Sequence, residues 1–316
     1  MTGIAIPPDK SSRGMDWFSA TSLAGLRRRK AMMGYLFLLP TILGILVFTA
    51  GPVLFSFGLS LYKWNVFQPA EFIGITNYTR FFADQRALVS FGNTFKFVIL
   101  AVIIQLSLAL FMALMVQQKL NKWLRYYFRT AFFLPLLMSG AAVSISLGYM
   151  FHQEFGVINY YLGLLGVPRI PWTTSSTWVL FTVVITSVWH NVGFTFIIFI
   201  GGLNNISKDI LDAADVDGAA GWRRLWHIIL PMLSPTLLFA LVVGVIGALQ
   251  VFETPYIMTR GGPGDASRTA VMVMQEAAFK NLELGYGSAI TVVLFILIML
   301  VTMFQFWSSR RWVFYQ

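Results

Sequence analysis

The residues able to do chemistry in this 316-residue chain are few and unevenly placed. It has no cysteine, which removes disulfides, thiol nucleophiles and Cys-based metal sites. Its three histidines, His152, His190 and His227, lie far apart and show no ligand spacing such as H-E-x-x-H, so no metal is inferred. Glu154 and Glu283 have no evident partner for acid–base catalysis. The turn-rich run Gly261-Gly262-Pro263-Gly264 lacks the lysine of a phosphate-binding loop, and no Gly-Lys pair occurs anywhere. The chain therefore reads as a non-enzyme with no cofactor of its own. Two other groupings stand out. One is a dense acidic stretch, Asp209, Asp212, Asp215 and Asp217, interleaved with Ala213, Ala214 and Ala219 and punctuated by Gly218. The other consists of polar residues inside apolar runs: Ser187, His190 and Asn191 in one, Gln250 and Glu253 in another.

The elements that must position them are membrane helices. Hydrophobic residues make up 57% of the chain and charged residues 11%, and mean hydropathy is +0.71. Soluble domains carry about 25% charged residues, so this chain needs lipid as its solvent. Six segments are long and apolar enough to span, at residues 34–61, 94–116, 131–151, 178–203, 232–257 and 285–307. Pro40 and Pro52 predict a kinked or shortened first span, and Pro135 lies near the start of the third. The net charge of +10 sits in short runs between these segments, which makes it a topology signal and gives no reason to expect nucleic acid. With both termini cytoplasmic, fifteen of the 23 Lys and Arg fall inside and eight outside, as the positive-inside rule asks. The expected fold is all-α and polytopic, in a bacterial or archaeal cytoplasmic membrane. Residues 1–33 form a cytoplasmic tail and 34–316 one transmembrane domain. The stretch 17–26 in that tail admits two readings, a short helix on the membrane surface or a disordered tail.

The connection at residues 204–231 is unusual for a plain membrane protein. Ser207 is placed to cap a helix, and Asp209 sits in its first turn, where a carboxylate suits the helix dipole. Ile210, Ala213 and Ala214 form one apolar stripe, and Gly218 is placed to end the helix in a left-handed conformation. A second short helix is expected over 222–227, with Pro231 opening the next span. A helix pair resting on lipid headgroups is one reading. Four aspartates facing an anionic surface oppose it, whereas small alanines flanked by acids suit a protein groove.

Asp212-Ala213-Ala214, then Asp217-Gly218-Ala219, then Ile228-Ile229-Leu230-Pro231 resembles the EAA loop of ABC importer permeases, with Asp212 where that family usually has Glu. Leu249-Gln250-Val251-Phe252-Glu253, Tyr256-Ile257-Met258-Thr259 and Gly261-Gly262-Pro263 resemble the carbohydrate-uptake branch, of the maltose and glycerol-phosphate type. Asn93-Thr94 and Phe133-Leu134-Pro135 fit the same pattern, so the likeness covers most of the chain after residue 34. The resemblance implies the type I importer permease fold and a set of partners. These are a second permease of paralogous sequence, two ATPase subunits that hold ATP and Mg, an extracytoplasmic solute-binding protein, and membrane lipid. It implies that Asp212, Ala213, Ala214, Asp217, Gly218 and Ala219 couple to the ATPase: Asp212 pairs with a basic residue there, the alanines permit close approach, and Gly218 allows the turn.

For the solute path, the resemblance points to Ser187, His190, Asn191 and Phe194 in the fourth span. In the fifth it points to Gly244, Gly247, Ala248 and Val251, with Gln250 and Glu253 in that span's outer third. Ser187, Asn191 and Phe194 share one helical face. Alternatives stay open at each place. Small residues at helical spacing also serve close helix packing. His190 and Asn191 also suit interhelical hydrogen bonds, and Glu253 also reads as a solvated rim carboxylate. The fifth-span positions are small or apolar where the maltose type offers amides, so this half of the path reads as a passive wall. The main functional alternative is an ion-gradient-driven secondary transporter. Such proteins tend to carry acidic groups at mid-membrane, and no Asp or Glu lies at the centre of an expected span.

Overall fold

A computed structural model describes residues 23–117 and 121–314. Among the described residues, five helices are long and apolar enough to cross a membrane, or up to six if one sharply bent pair is a single span. The chain divides into two compact units, Met1–Ser56 and Phe57–Gln316.

The first unit carries α1 (Leu23–Ile45), which runs through the basic residues Arg27–Lys30, so the helix starts well before the expected residue 34. Of the stretch 17–26, read either as a surface helix or as a disordered tail, the part up to residue 22 lies outside the described residues. Pro40 is accommodated inside α1. A π-turn at Leu46–Ala50 precedes Pro52, and the Gly51 N–H donates to the Leu46 carbonyl five residues back. The helix continues as α2 (Gly51–Leu59).

In the second unit a two-residue ribbon, β1 (Tyr62–Lys63) antiparallel to β2 (Glu71–Phe72), leads into α3 (Thr76–Ala83). α4 (Gln85–Gln117) is a 33-residue helix, longer at its start than the expected 94–116. It packs against α8 (Val179–Asn204) as the centre of the bundle. Ala101, Ala109 and Ala113 of α4 are fully buried or nearly so, and small side chains let the two backbones approach. Phe97 and Met112 fill the gaps against Val184, Val188, Val192, Phe196 and Phe199 of α8. Leu233 and Ala240 of α11 (Leu230–Leu249) complete this core. The last span is α14 (Leu284–Ser309).

The expected third span, 131–151, is not one helix. α5 (Lys122–Phe133) gives way to a 3₁₀ turn at Leu134–Leu137, and α6 (Gly140–Met150) departs at 99°. Pro135 removes a backbone donor and its ring collides with the preceding turn. Met138 is then extended, with φ −78° and ψ 152°, so the helix cannot resume on the same axis. The expected fifth span, 232–257, is also interrupted: α11 stops at Leu249, and α12 (Glu253–Thr259) begins after a short non-helical stretch. Glu253 thus opens a new helix and does not sit in the outer third of an old one. The short helix expected at 222–227 is likewise not separate. α10 (Gly221–Arg224) runs through a π-turn at Leu225–Ile229 straight into α11.

Further short helices of the unit are α7 (Val157–Leu164), between α6 and α8, and α13 (Ala270–Gln275), after the glycine-rich loop.

Candidate functional site

Ser207, Lys208 and Asp209 open α9 (Lys208–Val216) in the manner of a capped helix, with Ser207 Oγ accepting from the Asp209 N–H at 3.2 Å. The helix ends at Val216, and Gly218 takes φ +70°, the left-handed turn that a glycine adopts without steric cost. Ile206 and Leu211 anchor the segment to the α4–α8 core, and Ala214 is 5% exposed. Of the expected apolar stripe, therefore, Ala214 faces inward while Ile210 and Ala213 face out. Asp212, Asp217 and Gly218 are exposed, Ala219 is half-buried, and Val216 and Trp222 stand out beside them. Asp215 is bridged to Arg224 at 2.5 Å, which braces the corner between α9 and α10. Among the described residues Asp212 makes no ion pair.

All ten residues chosen for a solute path line one cavity of about 450 Å³. α8 contributes Ser187, His190, Asn191 and Phe194, and α11 contributes Gly244, Gly247 and Ala248. Gln250 and Val251 come from the interruption after α11, and Glu253 from the first turn of α12. The helix breaks make this convergence possible. At the first, His190 Nε2 lies 3.1 Å from the Met138 carbonyl that the bend releases. The proton is then on Nε2, and in the neutral ring Nδ1 remains an acceptor. At the second, Thr269 Oγ1 donates to the Val251 carbonyl at 2.9 Å. Asn191 Nδ2 donates to the Ser187 carbonyl at 2.9 Å, one turn back on the same face.

Sequence reasoning missed the α4 wall. Phe97, Ala101 and Gln105 line the cavity, as do Thr195 of α8 and Ala240 and Val243 of α11. Phe252 and Thr254 complete it, with the Phe252 ring stacked on Tyr256 at 4.9 Å. Gln105 Nε2 donates to Thr195 Oγ1 at 2.8 Å, which leaves its carbonyl oxygen as an acceptor. An amide inside an otherwise apolar span was the signal that could have found it. The expected passive wall is therefore confined to α11: the amides of Gln105 and Asn191 face the cavity from α4 and α8.

Beyond the interrupted helix, the loop before α13 is held by charge. Arg268 is 6% exposed and pairs with Asp265 and Glu276, each at 2.5 Å. Arg86 reaches the same two carboxylates at 3.2 and 3.4 Å. Asn93 Nδ2 donates to the Asp265 carbonyl at 2.7 Å, and Thr94 Oγ1 accepts from the Ala270 N–H at 2.9 Å. Burial pushes the Asp265 carboxyl up, but the hydrogen bonds and charges of Arg268 and Arg86 outweigh it and hold its pKa below the ordinary carboxylate value. Nearby, the hydrogen bond to Glu283 raises the Arg80 guanidinium above its usual range.

Broken helices that place polar side chains around a cavity, with an acidic helix exposed between two spans, define a membrane permease. The chain belongs to the family described as the binding-protein-dependent transport system inner membrane component, whose model matches residues 105–313. It is 36% identical to the sulfoquinovosyl glycerol transport system permease protein SmoG of Agrobacterium fabrum, over 74% of this chain and 75% of that one. It is 32% identical to the trehalose/maltose transport system permease protein MalF of Thermococcus litoralis, over 88% of this chain and 93% of that one. Its fold matches a bacterial ABC transporter that imports the acidic polysaccharide alginate, with TM-score 0.80 at 22% identity, covering 92% of this chain and 99% of the other. The chain is thus a multi-pass permease subunit with the type I importer fold, not itself an enzyme, and not the secondary transporter weighed as the alternative.

Proposed function

We propose that this chain forms one half of the translocation path of an ATP-driven importer for a carbohydrate or related polyol. The observation that carries this reading is the convergence of Ser187, His190, Asn191, Gln250 and Glu253 on one cavity beside two helix breaks. Hydroxyl-rich solutes need donors and acceptors spread over a wall with apolar and aromatic faces between them, and the cavity offers both. The trehalose and maltose named for MalF agree with that chemistry. A second permease, of paralogous sequence, closes the other side, and an extracytoplasmic binding protein delivers the solute.

ATP and Mg are held by two ATPase subunits on the cytoplasmic side, where both termini of this chain also lie. The exposed face of α9, with Asp212, Ala213, Asp217 and Gly218, docks into a groove on one of them, Ala214 and Ala219 supporting it from behind. Because α10 is continuous with α11, a push on α9 is carried into the helix that lines the cavity.

The test is ATP hydrolysis and assembly of the complete importer in lipid, with wild type compared with Asp212→Arg. Weakened assembly or uncoupled hydrolysis is expected. Unchanged coupling in the charge-reversed complex would remove Asp212 from this role, and solute movement by the chain without ATP would end the importer reading.

A further inference from the structure

We infer that the cavity favours an uncharged or cationic polyhydroxy solute over an anionic one, and that Glu253 sets this preference. The inference rests on the cavity being the solute path, as proposed above. Among the described residues, Glu253 is the only formally charged one lining the cavity, counting His190 as neutral, and no Lys or Arg lines it. The carboxylate is exposed, and among the described residues no hydrogen bond or ion pair engages it.

Its place is set by Gly140. A methyl group there would overlap the Glu253 carboxylate and come within 3.4 Å of His190 Cε1, so the first residue of α6, the imidazole and the carboxylate meet at one point of the wall. α6 is 11 residues long and has no side-chain cap, so its first amides leave a partial positive charge beside the carboxylate. An entering hydroxyl can donate a charge-assisted hydrogen bond to Glu253, and an ammonium gains more. A sulfonate, phosphate or carboxylate on the solute meets a like charge that no Lys or Arg of this wall neutralises, the α6 N-terminus offering only a partial charge. In the assembled importer the partner permease supplies the opposite wall, so the field is read in the complete complex.

The absence of cysteine from the chain makes the field measurable without knowing the solute. Ser187→Cys is introduced into the assembled importer in proteoliposomes. Its reaction rates with cationic trimethylammonium-ethyl and anionic sulfonato-ethyl methanethiosulfonate are compared with those of free cysteine, the unsubstituted complex serving as background. The normalised cation-to-anion ratio is expected to be raised about five- to tenfold. It should fall towards the free-thiol value with Glu253→Gln and invert with Glu253→Arg. A ratio at the free-thiol value in Ser187→Cys alone, or one untouched by Glu253→Gln, overturns the inference. Failure of the solute-path reading would look different: a fully modified Ser187→Cys complex would take up a panel of radiolabelled mono- and disaccharides at the unmodified rate.

Discussion

Thr269 Oγ1 donates to the carbonyl oxygen of Val251 at 2.9 Å, so a residue 18 positions further along the chain satisfies the group that the break between α11 and α12 leaves unpaired. The same solution appears at the other break, where His190 engages the Met138 carbonyl. A freed carbonyl at membrane depth is costly unless a neighbour bonds it. The second interruption lines the cavity, the first meets it through His190, and both are served by single side chains.

Thr269→Val keeps the β-branched shape, at a position that is 1% exposed, and removes only the donor. The part-buried Val251 carbonyl then lacks its partner, which costs about 1–2 kcal/mol. The expected outcome is a lower thermal unfolding midpoint of the purified complex, together with a larger fractional loss of uptake than of basal ATP hydrolysis. Equal losses of both would mean that the bond serves stability alone.

Asp265 makes a pH-dependent contribution of known sign. Its folded pKa is depressed, so the stability it adds is complete above the unfolded carboxylate value of about 3.9 and is lost as pH falls through the lower folded value. The difference in unfolding midpoint between wild type and Asp265→Asn is expected to be constant between about pH 5 and 7 and to shrink below about pH 4. Asn is the right replacement because residue 265 has φ +63°, a conformation that Asn tolerates. A difference that grew on acidification would contradict this assignment.

Gly218 separates α9 from the helix that enters the bundle. At φ +70°, Gly218→Ala costs about 1–2 kcal/mol locally and is expected to reduce coupled ATP hydrolysis, whereas Gly218→Asn retains most of it. The comparison is read from hydrolysis in the complete complex with and without binding protein. Equal activity of Ala and Asn variants would show that the turn itself has no part in coupling.

Much of the molecule was legible from residue order. Segment hydropathy located the membrane helices, because the cost of exposing backbone or charge to lipid acts locally on each stretch. The α9 segment was readable for the same kind of reason: a cap, a first-turn carboxylate and a left-handed glycine are short-range features, and Ser207, Asp209 and Gly218 behave as their types require. The ten cavity residues followed from resemblance and helical periodicity, which identify a face without stating what lies opposite it.

The tertiary structure decided what those faces meet. Pro135 and the stretch after Leu249 lie inside segments that hydropathy draws as continuous spans. They are true breaks, because His190 and Thr269, distant in the chain, pair with the carbonyls the breaks release. Gln105 joined the site only when α4 packed on α8, and Glu253 became a cavity wall only when α12 turned it against Gly140. Hydropathy and spacing are properties of neighbours in sequence. A satisfied carbonyl or a lone charge in a cavity depends on neighbours in space, and only the packed helices supply those.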